Sequence, residues 1–74
     1  MNTLAEMDQG DCAVVSKLVL SGRIRRRLQD IGLIPGTKVE CVQKSPLGDP
    51  IAYLIRGTVI ALRYDDSSKI IIQG

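Results

Sequence analysis

Ile51-Ala52-Tyr53-Leu54-Ile55-Arg56-Gly57-Thr58-Val59-Ile60-Ala61-Leu62-Arg63 is the stretch on which the fold turns. Its aliphatic and aromatic residues fall into two short blocks parted by Gly57-Thr58, and the β-branched content suits a pleated, half-buried surface. Ile51, Tyr53 and Ile55 alternate onto one face while Ala52 and Leu54 take the other, which is the period of a strand. The reading is a strand over Ile51–Arg56, a tight turn at Gly57-Thr58, and a strand over Val59–Arg63.

Working outward, Ser45-Pro46-Leu47-Gly48-Asp49-Pro50 has the length and turn residues of a hairpin loop. The strand it returns from is Lys38–Lys44, with Val39 and Cys41 on one face. On the far side, Tyr64–Ser68 is a polar turn, with room for one turn of 3₁₀ helix, and Lys69–Gln73 is a closing strand. Towards the N-terminus, Asp8-Gln9-Gly10-Asp11 is a turn cluster that ends a short polar start. Cys12–Leu20 then reads as a strand with its tail, turning Ala13, Val15 and Leu18 inward.

The segment between these strands has a different period. Ile24, Leu28 and Ile31 form one apolar stripe at helical spacing, opened by Ser21 as a capping residue. Gly32 ends the helix, and Pro35 blocks any restart. Arg23, Arg26, Arg27 and Asp30 occupy the other faces, with Arg26 and Asp30 spaced for an ion pair. Five short strands and one helix make an all-β fold: a small SH3-like five-stranded barrel with the helix inserted between strands 1 and 2. Closure removes the sheet edges that invite aggregation, and residues 1–74 make a single domain.

Composition narrows the function classes. The chain has 74 residues and a net charge of +2, too mild a balance to imply nucleic acid or a membrane on its own. There is no His, no phosphate-binding glycine loop and no usefully spaced carboxylate pair, so the chain does not read as an enzyme. The start carries Glu6 and Asp8 and lacks a basic region, unlike a secretory signal. Cys12 and Cys41 have no C-x-x-C partner, and the expected setting is cytoplasmic with both thiols reduced.

Several motifs stand in one order: Arg27-Leu28, Asp30-Ile31-Gly32-Leu33, Pro35-Gly36, Pro46-Leu47-Gly48-Asp49-Pro50-Ile51 and Ala61-Leu62-Arg63. The combination of R-L-x-x-I-G-L-x-P-G with P-L-G-D-P-I resembles the FeoA family, ferrous iron transport protein A, from Leu4 to Gln73. That resemblance implies an SH3-like accessory protein of ferrous-iron uptake. Its implied partner is the cytosolic GTPase part of the FeoB transporter, which would recruit it to the inner face of the membrane. It also implies an association with transition-metal handling. An alternative from the same resemblance is a metal-responsive regulatory module, like the SH3-like domain of iron-dependent repressors.

Individual residues can be weighed against blander roles. Arg26 and Arg27 are either a basic face for an acidic partner or a solvated helix surface. Leu33 and Ile34 are neighbours between Gly32 and Pro35-Gly36, so one of them is expected to be exposed as an apolar anchor. Leu47, apolar at a loop tip, would extend that contact if its loop lies on the same end of the barrel. The expected partner-binding set is thus Arg26, Arg27, Leu33, Ile34, Pro35, Gly36 and Leu47. Cys41 faces inward and Cys12 does not, which favours buried-thiol packing over a zinc or iron–sulfur site. The scattered aspartates leave room for no more than a weak, transient ferrous site, and no resident cofactor is expected. A nucleic-acid-binding barrel is disfavoured because only Tyr53 and Tyr64 could stack bases, and Tyr53 points inward.

Overall fold

Residues 2–73 are described in the computed structural model. After a 3₁₀ turn at Leu4–Glu6 come β1 (Cys12–Leu18), α1 (Gly22–Asp30), β2 (Lys38–Lys44), β3 (Ile51–Ile55), β4 (Thr58–Leu62), α2 (Tyr64–Ser67) and β5 (Ile70–Gln73). The strands form one antiparallel sheet in the order β4-β3-β2-β1-β5. Register shifts in β1 at Val15/Lys17 and in β2 at Cys41/Gln43 are bulges, and bulges bend the central strands around the core. The SH3-like curl is therefore present. The ladder does not close, however: among the described residues β4 and β5 remain its two edges, linked by α2.

The alternation read from the sequence matches the burial. Ala13, Val15, Leu18, Val39, Cys41, Ile51, Tyr53 and Ile55 all face the core. Leu28 reaches it from α1, and Ile24 packs partly against it.

The start of the chain is not merely polar. Leu4 and Met7, three residues apart on the 3₁₀ turn, are fully buried. Leu4 is pinned there because its carbonyl accepts hydrogen bonds from the Tyr53 hydroxyl at 3.0 Å and from the Met7 N–H at 3.1 Å. The Ile72 N–H donates to the Asn2 carbonyl at 2.9 Å, and Thr3 bridges to Ile71. The two ends of the described chain thus lie side by side.

Four local expectations change. The β3–β4 turn is Arg56-Gly57, not Gly57-Thr58: both residues have positive φ (49° and 84°), and Thr58 already pairs with Ile55. Such a turn has the twist that a two-residue hairpin needs. Tyr64–Ser67 is a short α-helix rather than a polar turn or a turn of 3₁₀ helix, and Asp49 Oδ1 accepts the Tyr64 N–H at 3.0 Å and satisfies its first donor. Ser21 stands at the N-cap of α1 but makes no side-chain cap bond. Arg26 and Asp30 form no ion pair; among the described residues the one ion pair is Lys44–Asp8 at 3.8 Å.

Candidate partner-binding surface

The end of α1 decides what the surface beyond it can present. Ile31 is the C-cap, and Gly32 follows with φ +95°, a conformation that glycine adopts without penalty. The Gly32 N–H donates to the Gln29 carbonyl at 3.0 Å, and the Leu33 N–H to the Leu28 carbonyl at 2.9 Å. These two bonds are the Schellman motif, which brings the residue after the glycine back onto the last turn of the helix. Leu33 accordingly joins Leu28 in the core and is 0% exposed. Leu33 is therefore no surface anchor. Its neighbour Ile34 is 44% exposed.

The loop that carries Ile34 is held firmly. Ile34-Pro35-Gly36-Thr37 is a β-turn closed by Thr37 N–H to the Ile34 carbonyl at 3.0 Å. The buried Thr37 hydroxyl donates to the Gly32 carbonyl at 2.8 Å and accepts from the Ile34 N–H at 3.2 Å. Gly36 N–H and Val15 carbonyl, 2.7 Å apart, tie the turn to β1. Pro35 and Gly36 are exposed beside Ile34, and Ile31 is 39% exposed because the stripe ends with the helix. Arg56 lies across Gly32, where an added Cβ would meet its side chain. Arg26 and Arg27 are exposed on the same helix, and neither has a carboxylate within 4.0 Å among the described residues. Arg27 shares a groove with Ile31, whereas Arg26 lies with Arg23, Arg25 and Gln29 along another face of α1.

Leu47 does not belong to this surface. It is 95% exposed, but its loop follows Lys44, whereas Gly36 precedes Lys38. A strand rises about 3.3 Å per residue, so β2 separates the two loops by roughly 20 Å. The expected shared end of the barrel does not exist.

The donors of a metal site are dispersed. Cys12 and Cys41 are free, one exposed and one buried, and the pairing of Cys12 with Glu40 sets them on opposite faces. Burial pushes the Cys41 thiol up, the Lys44 charge opposing it. Asp49 holds the start of α2, and Asp11 Oδ2 accepts the Asp8 N–H at 2.9 Å. Among the described residues no three His, Cys, Asp or Glu side chains come together. Tyr53 is buried and Tyr64 is exposed.

Comparison with known proteins places this architecture. The FeoA domain matches residues 2–74. The chain belongs to the FeoA family. It is 34% identical over 70 residues to the Fe(2+) transport protein A/Fe(2+) transporter FeoB fusion protein of Porphyromonas gingivalis, covering 95% of the chain. The chain spans 8% of that fusion protein's length. FeoA of Chlorobium tepidum superposes with a TM-score of 0.91 at 34% identity, over 96% of this chain and 68% of that one. FeoA of Stenotrophomonas maltophilia, an SH3 domain protein solved with zinc, superposes at 0.82 with 31% identity, over 96% and 88% of the two chains.

The motif resemblance is thereby a family membership, and the SH3-like reading of the curled sheet holds. The FeoA family is linked to ferrous iron transport, and in the fusion relative FeoA is joined to FeoB. Zinc is bound by the Stenotrophomonas relative; the described residues here offer no ready-made set of ligands for it. No helix among them is long and apolar enough to cross a membrane. Legible in advance was the exposure of one of Leu33 and Ile34, as a choice of two, and of Arg26 and Arg27. The exposure of Ile31 was not legible, because its spacing puts it on the same apolar stripe as Ile24 and Leu28.

Proposed function

We propose that this FeoA-family chain assists ferrous-iron uptake as a non-catalytic accessory that docks on the cytosolic GTPase part of a FeoB-type transporter. The observation that carries this reading is the Porphyromonas gingivalis relative, where a matching FeoA stretch and a FeoB transporter share one polypeptide. The helix end supports it. Ile34, Pro35 and Gly36 form the apolar contact, and Arg26 and Arg27 orient it against acidic groups. Truncating an apolar anchor at the centre of a contact costs about 2 kcal/mol or more, whereas rim charges act mainly on association rate.

The test is amide-resolved NMR of the full chain titrated with a FeoB-type transporter in nanodiscs, with a photoreactive residue in place of Ile34 to report the contacted part. Signal changes at Arg26, Arg27 and Ile34–Gly36, with cross-links to the GTPase part, are expected. Ile34→Ser should lower the affinity and leave stability unchanged. Cross-links confined to other parts of the transporter, or no spectral change at saturating transporter, would exclude this docking mode.

A further inference from the structure

A second feature lies beside that surface and shares Arg27 with it. A groove of about 340 Å³ separates α1 from β4, with Ile24, Leu28 and Ile31 on the helix side. The sheet side is formed by four consecutive residues, Ile60 to Arg63. Successive strand residues point to opposite faces, so a consecutive run can line one groove only where that groove follows the strand's edge. β4 is such an edge: its one neighbour among the described residues is β3.

The backbone of that edge is unpaired in a defined pattern. A two-residue turn makes Ile55 and Thr58 a hydrogen-bonded pair, and the ladder then repeats at Tyr53–Ile60 and Ile51–Leu62. The N–H and C=O groups of Val59 and Ala61 are directed away from β3. No other backbone group of the described residues bonds to them. Ala61 is exposed and small, so another backbone can come close.

The charged lining residues are Arg27, Arg63 and Asp66, two cations against one anion. Neither guanidinium has a carboxylate within 4.0 Å among the described residues. The groove thus combines an open strand edge, an aliphatic wall and two unpaired arginines.

We propose that this groove takes an extended, largely apolar segment of a partner protein that carries a carboxylate and adds as a strand to β4. Its backbone pairs with Val59 and Ala61, alternate side chains pack against Ile24, Ile31 and Ile60, and its carboxylate meets Arg27 or Arg63. Strand addition supplies affinity through the main chain, while the arginines select for acid. The inference does not depend on which protein supplies the segment.

The probe is a library of short blocked peptides, alternating apolar and polar positions with one fixed Glu, titrated into the full chain. Selected peptides should shift the Val59 and Ala61 amides and slow their hydrogen exchange. Ala61→Pro removes only an outward N–H, which an edge strand tolerates. It should weaken binding roughly tenfold, the loss expected for one or two hydrogen bonds. Arg27→Glu/Arg63→Glu, on exposed positions, should abolish the preference for the Glu-containing peptides and so tests the site even if Ala61→Pro perturbs the hairpin. Absence of binding at millimolar peptide would overturn the proposal. So would bound peptides that leave Val59 and Ala61 exchanging freely. Protection of those amides that grows with protein concentration alone would assign the edge to a second copy of the chain instead.

Discussion

Replacing Tyr53 by Phe separates two contributions that one buried hydroxyl makes to this fold. Tyr53 is fully buried on β3, and its hydroxyl donates to the Leu4 carbonyl at 3.0 Å. That carbonyl also accepts the Met7 N–H, so the variant leaves it partnered rather than orphaned. The cost around pH 7 is therefore that of one ordinary hydrogen bond, about 1 kcal/mol, and not the larger penalty of an unsatisfied buried acceptor. Burial also pushes the hydroxyl up to about 12 from 10.0, with Ser67 opposing it. A pKa raised on folding gives stability that is whole below the unfolded value and is lost as pH climbs towards the folded one. The wild type should lose about 1.4 kcal/mol per pH unit above pH ~10, approaching roughly 2.7 kcal/mol near pH 12. Titratable groups that do not act on Tyr53 are common to both proteins and cancel in the difference, which leaves Cys41 as the one coupled group among its causes. Tyr53→Phe is thus expected to be the less stable protein at neutral pH and the more stable one above about pH 11. Urea unfolding followed by circular dichroism across this range measures it. Parallel pH profiles for the two proteins would refute the reasoning, as they would mean that the hydroxyl ionises in the native state as readily as in the unfolded chain.

Two further outcomes follow from single residues. Gly32→Ala meets both a φ of +95° and the Arg56 side chain, whose Cδ the added Cβ would meet; the flexible arginine can move but the backbone cannot. A loss of about 1–2 kcal/mol or more is expected in denaturant titration, and Arg56→Ala should not rescue it. In native protein an alkylating reagent should label Cys12 quickly and Cys41 only after unfolding, because Cys41 is buried with a raised thiol pKa; mass spectrometry of one against two adducts reads this directly.

Much of the sheet could be read from side-chain alternation because β2 and β3 bury one face each, and a face shows itself as a period of two. The end of α1 was equally legible, since Gly32 followed by Pro35 leaves the chain little choice. What escaped the reading depends on geometry between elements. The inward turn of Leu33 follows from a hydrogen-bond motif that aims the chain after the glycine, not from hydropathy, which treats Leu33 and Ile34 alike. The burial of Leu4 and Met7 needs the Tyr53 hydroxyl, far along the chain, to hold a short 3₁₀ turn in place. An arginine with positive φ in the β3–β4 turn breaks the usual preference for Asn, Asp or Gly, which is why the turn was expected one residue later. The position of Leu47 relative to Ile34 required the direction of β2 between them. The groove beside β4 had no signal at all, because its two walls come from opposite halves of the chain.

The hydrogen bond from Ile72 to Asn2 has a consequence for how this module can be joined to others. Both ends of the described chain leave from one corner of the sheet. A polypeptide attached before Asn2 or after Gln73 would be tethered at nearly the same point, so the order of joining would change the presented faces little. A short tether there also raises the local concentration of an attached partner without reshaping any contact. Single-point attachment lets such a module be added to a larger protein, or detached from it, without re-engineering the surface that does the recognising.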